Sequence, residues 1–186
     1  MRIFKFIILT LLTISMADTY KQPSYNLIKK DNNIELREYS QYVIAKTIID
    51  QGSLDEDNNM FRKLGGYIFG NNDKNASIPM TAPVITQSTS TGYEMIFFML
   101  SVDSPDQLPR PTNDAVLLET MEIGKAISIS FGMWATEARV ASYKKILDQY
   151  INENNIEVDS NLMVAQYNSP WALPPFRKNE LIYKIK

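Results

Sequence analysis

Five glutamates in strand-like sequence, Glu35, Glu38, Glu119, Glu122 and Glu180, are the groups to weigh first for acid–base chemistry. Two carboxylates brought together can act as general acid and general base; equally, such residues line the solvated faces of strands. Glu180 differs in having Arg177 close by in "FRKNEL", and reads either as a catalytic acid or as half of an ion pair closing the last strand. Histidine and cysteine are absent from all 186 residues. Their absence removes thiolate nucleophiles, Fe–S clusters, disulfides, zinc sites built on either residue, and the usual haem axial ligand. No imidazole is present to activate a serine, and GxSxG does not occur. "GGYIFG" at 65–70 has the wrong glycine spacing for a phosphate loop and follows helical sequence instead of preceding it. The sequon Asn75-Ala76-Ser77 has meaning only in a eukaryotic source. A net charge of −2 without a Lys/Arg cluster argues against nucleic acid as a partner.

These residues must be positioned by a chain whose periodicity changes several times. Ile34, Leu36 and Glu38 alternate with Glu35, Arg37 and Tyr39, and Val43 to Ile49 is dense in β-branched residues; both read as strands. Residues 54–69 switch to helical spacing. Phe61, Leu64 and Ile68 fall on one face with Met60 and Tyr67 alongside, and Leu54-Asp55-Glu56 puts negative charge at the start. Gly65-Gly66 costs about 1 kcal/mol per glycine in a helix interior. The pair either widens a groove or lets the helix lie close to a sheet, and close packing is the preferred reading. Strands are expected at 80–87, 93–100, 116–122, 125–131, 162–167 and 179–185. A second helix starts from Thr136 as N-cap, with Val140, Tyr143, Leu147, Tyr150 and Ile151 as its apolar stripe.

The order is then βαββ twice: 42–49, helix, 80–87, 93–100, and 125–131, helix, 162–167, 179–185. Two such units side by side make an α+β protein, an antiparallel sheet curved or closed as a barrel with two helices. "IPMTAPV" at 78–84 fits poorly inside a strand, because Pro79 and Pro83 cannot donate to a ladder. They either bulge the sheet so that it curves or hold the segment aside to line one end of a groove with Met80 and Val84. Met60, Phe61, Tyr67 and Met80 gather around one helix and this segment, and soft, flat-sided walls suit a planar apolar ligand.

Five stretches carry a resemblance: "IELREYSQYVIAKT", "MFRKLGGYIFGNN", "IPMTAPV", "FFMLSVDSPDQLPRPTND" and "YNSPWALPPFRKNEL". In this order, from about Tyr25 to the C-terminus, they resemble the SOUL haem-binding protein family. The resemblance implies two pseudo-repeated βαββ units forming a distorted barrel flanked by two helices. It also implies reversible binding of haem or another tetrapyrrole in an apolar groove beside the first helix. On this sequence that groove maps to Met60, Phe61, Leu64, Gly65, Tyr67 and Met80, with Leu162 and Val164 as the facing wall. Arg62, Lys63 and Arg177 are the cations for propionates. A histidine ligand, proposed for some relatives, is impossible here. Apolar and propionate contacts remain, or ligation by Tyr67, Met80 or Lys63.

Residues 1–17 read as a signal peptide: Arg2 and Lys5, the apolar run "FIILTLLTISMA", and small residues at Ser15 and Ala17. A spanning anchor would need roughly 20 apolar residues. Cleavage after Ala17 removes two cations and leaves one domain, 18–186, near a net charge of −4. The product is expected in a periplasm or outside the cell, with no stable membrane anchor, and without cysteine it is no lipoprotein. The functional expectation is a non-enzymatic tetrapyrrole carrier or buffer. The alternatives are a small-molecule hydrolase on the same duplicated fold and a protein-interaction module with a vestigial groove.

Overall fold

Two long strands organise the molecule. The computed structural model describes residues 20–50 and 56–186; the expected signal peptide, with the acidic helix start at Leu54 and Asp55, lies outside the described residues. The elements are β1 (Tyr25–Asp31), β2 (Ile34–Asp50), α1 (Glu56–Ile68), β3 (Val84–Ser88), β4 (Gly92–Phe98), β5 (Leu117–Phe131), α2 (Glu137–Glu153), β6 (Met163–Gln166) and β7 (Asn179–Lys184). β2 and β5 pair antiparallel from Ile34↔Ile129 to Lys46↔Leu117. The sheet runs β1-β2-β4-β3-β6-β7-β5 and closes through β2–β5. Six strands therefore form a closed antiparallel barrel, with β1 added on β2.

The duplicated βαββ order is present as β2-α1-β3-β4 and β5-α2-β6-β7. In each unit the strand before the helix pairs with the last strand, as β2–β4 and β5–β7. The last strand pairs with the one before it, as β3–β4 and β6–β7. β3–β6 and β2–β5 join the halves.

Sequence periodicity divides β2 and β5 into two strands each, whereas the structure makes each continuous. The reason is a change of face without a change of register. Ile34 and Leu36 pack in the core beneath α2, but Val43, Ala45 and Ile49 pack beneath α1. Tyr39, then Tyr42 and Ile44, face the barrel interior, so the parity of the inward residues slips between 39 and 42. β5 makes the matching change beside Gly124, whose φ of +64° is open to glycine without penalty. Each long strand thus belongs to both halves.

"IPMTAPV" stays out of the ladder until Val84, so the strand expected at 80–87 is shorter than its composition suggests. Its backbone finds partners elsewhere. Ile78 N–H donates to Ile68 O at 2.8 Å and Ala82 N–H to Lys21 O at 2.9 Å. Thr81 Oγ1 donates to Phe98 O at 2.7 Å. The segment ties the end of α1 to the barrel, and Met80 and Val84 pack at the edge of the α1 core. α2 follows its predicted pattern: Thr136 caps it by accepting from Arg139 N–H, Leu147 and Ile151 are buried, and Phe131 stacks on Tyr143 with centroids 4.6 Å apart.

Candidate functional site

The densest array of polar side chains lies inside one end of the barrel. Glu180, on β7 and fully buried, accepts two hydrogen bonds from the Arg37 guanidinium of β2, at 2.7 and 2.8 Å. Tyr167 donates to the same carboxylate at 2.6 Å and Ser130 at 3.0 Å, and Lys178 Nζ lies 3.2 Å away. Arg37 also donates to Tyr39 OH at 3.0 Å and Glu35 at 2.8 Å, and Tyr25 covers it with its ring 4.2 Å from the guanidinium carbon. Burial alone would raise the Glu180 pKa, but hydrogen bonds and charge from Arg37 outweigh it and hold the carboxyl at about 2. Burial pushes the Tyr39 phenol up to about 12 and that of Tyr167 well above the usual range.

The expected Arg177–Glu180 ion pair does not form; Arg37 takes that place. Arg177 turns the other way, donating to the carbonyls of Ala172, Ser169 and Pro170 and lying 3.5 Å over the Trp134 ring. Its donors are used within its own loop, so it is not positioned as a propionate partner. Of the remaining glutamates, Glu38, Glu119 and Glu122 are exposed on strand faces, while Glu35 joins the cage.

A carboxylate held at about 2 and surrounded by donors is a poor general base. Beside the cage, the void lined by Tyr39, Ile85, Phe98, Met163, Tyr167 and Ile182 measures about 10 Å³. That is the lower limit for one water molecule, so this end of the barrel is filled by its own side chains.

The first helix divides its predicted residues between two faces. Met60, Leu64 and Tyr67 are 0–1% exposed and pack with Ile49, Met95 and Phe97 of the sheet. They seal α1 to the barrel instead of lining an open slot. Tyr67 also donates its phenol to Pro109 O at 2.9 Å, and burial pushes that phenol up to about 12, a protonated structural group and not an anionic ligand. Phe61 stays 36% exposed, braced edge-on against Phe97 with centroids 5.7 Å apart.

Gly65 lies beneath two rings. A Cβ there would stand 3.7 Å from Phe61 Cε1 and 3.8 Å from Phe69 Cε2. Phe61, Gly65 and Phe69 are spaced four residues apart, so they form one stripe, and Phe69 is 66% exposed. Sequence reading missed Phe69, although the F-x3-G-x3-F spacing was there to find it. A Cβ at Gly66 would come within 2.9 Å of Asn71 Nδ2, where the chain closes the helix by donating Asn71 N–H to Gly66 O. Neither glycine is bare because the sheet approaches it, which corrects the close-packing expectation. Arg62 is exposed and Lys63 half-buried on the same helix.

The structure does not bring Leu162 and Val164 to this helix. Both pack on the other side of the barrel, in the core beneath α2. Leu162 also borders an open depression of about 540 Å³ between α2 and residues 158–162, beside Lys144, Asp148 and Tyr183. Parity explains this: Met163 and Ala165 turn into the barrel, so their neighbours must face outward under α2. Among the described residues no cluster of three or more acidic side chains could hold a metal ion, and no helix is long and apolar enough to cross a membrane.

The fold recurs in solved structures at low sequence identity. A hydrolase from Listeria innocua is 11% identical, with a TM-score of 0.57 over 86% of this chain and 94% of that one. The EcmrR C-terminal domain is 9% identical, with a TM-score of 0.61 over 87% and 98%. An uncharacterized conserved protein from Listeria innocua is 9% identical, with a TM-score of 0.63 over 83% and 92%. Likeness at this identity establishes a shared fold and no shared chemistry. No curated protein sequence matches the chain. The sequence profile of the SOUL heme-binding protein matches residues 20–184, and the chain belongs to that family.

Proposed function

We propose that this protein binds haem or a related tetrapyrrole without histidine ligation, on the outer face of α1, as a carrier or buffer outside the cytoplasm. The observation that carries the reading is the stripe Phe61–Gly65–Phe69, where two exposed rings flank a residue without a side chain. A macrocycle stacked there gains apolar and aromatic contact. Arg62 and Lys63, on the same helix, supply cations for its carboxylates. Met80, half-buried at the edge of the same core, is the soft side chain on offer for iron. Family membership supports the ligand class. The leader-like residues 1–17 support the location.

The enzyme alternative finds less support. The carboxylate best placed for chemistry, Glu180, is committed to Arg37 and Tyr167, and the hydrolase from Listeria innocua that shares the fold is 11% identical to this chain.

Hemin titration of the purified chain tests the reading. A saturable one-to-one Soret change is expected in the parent and a much weaker one in Phe61→Ala/Phe69→Ala. Non-saturating spectra, or equal binding by the double variant, overturn it. A Met80→Ala variant that binds unchanged removes Met80 from the site.

A further inference from the structure

We draw no further inference here: the strongest candidate, the exposed apolar patch of Trp134, Trp171, Leu173 and Phe176 where β5 leads into α2 and β6 leads into β7, carries nothing, because Lys178 beside it is paired with Glu180, Arg177 is spent on its own loop, and nothing in the structure shows what covers it.

Discussion

The polar cage inside the barrel and the outer face of α1 treat their side chains in opposite ways. In the cage every strong group has a partner: Glu180 has Arg37, Tyr167, Ser130 and Lys178, and Arg37 has Glu35 and Tyr39 as well. On α1, Phe61 and Phe69 are left partly in water, with the buried Gly65 beneath them. The first arrangement resists change and offers nothing to a ligand. The second forgoes burial that a purely structural helix would take. α2 makes the point from the other half of the duplication, since its outer face carries Lys144, Lys145, Asp148, Gln149 and Asn152. Duplication placed two equivalent helices on the barrel, and only one displays aromatic rings.

Breaking the cage should have the largest effect. Glu180→Ala leaves Arg37 charged and buried, which costs about 3–5 kcal/mol for a severed buried ion pair. The double variant Arg37→Met/Glu180→Leu should recover most of that, since it removes both charges. Chemical denaturation measures both. If Glu180→Ala unfolds at nearly the parent's midpoint, the cage is not the structural element described.

Acid should act on the same carboxylate by a related amount. The Glu180 pKa falls from the usual 4.5 to about 2 on folding. A group depressed in this way contributes stability above its unfolded value and loses it as pH drops through its folded value. The contribution is then complete at neutral pH and declines between 4.5 and about 2, by roughly 3 kcal/mol. Denaturation midpoints followed over that range should fall more steeply in the parent than in Glu180→Gln. Parallel curves would mean that other carboxylates, such as Glu35, govern the acid response.

On α1 the expected loss is in binding and not in stability. Phe61→Ala/Phe69→Ala should weaken hemin affinity by about tenfold or more, through the apolar contact removed, and lower the melting temperature only modestly, mainly through the Phe61 contact with Phe97. A large fall in stability with unchanged affinity would reverse the comparison and make the rings part of the core.

Much of this was readable from sequence, and the failures are specific. The βαββ duplication, both helices and the Thr136 cap follow from periodicity and capping chemistry, which are local. The continuity of β2 and β5 was hidden because alternation reports faces, and these strands change face at 39–42 and beside Gly124 while keeping their register. The Arg37–Glu180 pair was hidden because its partners are 143 residues apart; Arg177 looked better only by being near. Leu162 and Val164 were assigned to α1 because nothing local says which helix an outward strand residue will meet. Phe61 is singled out by its type and Gly65 by the family resemblance, whereas Phe69 needs the stripe to be continued past the end of the helix.

The smallest effect is the one that best separates two accounts of Gly65. If glycine is there so that α1 can approach the barrel, an added methyl must push the helix away and Gly65→Ala must destabilise. The geometry says otherwise: the nearest atoms to a Cβ are the Phe61 and Phe69 rings at 3.7 and 3.8 Å, ordinary contact distances. Alanine should therefore recover helix propensity, stabilising the protein by up to about 1 kcal/mol. At the same time the methyl props the two rings from beneath and so changes the surface on which a flat ligand would stack. Higher stability with weaker hemin binding is the expected pair of results. A gain in stability with unchanged binding would move the ligand off the stripe, and a loss of stability would restore close packing as the reason for the glycine.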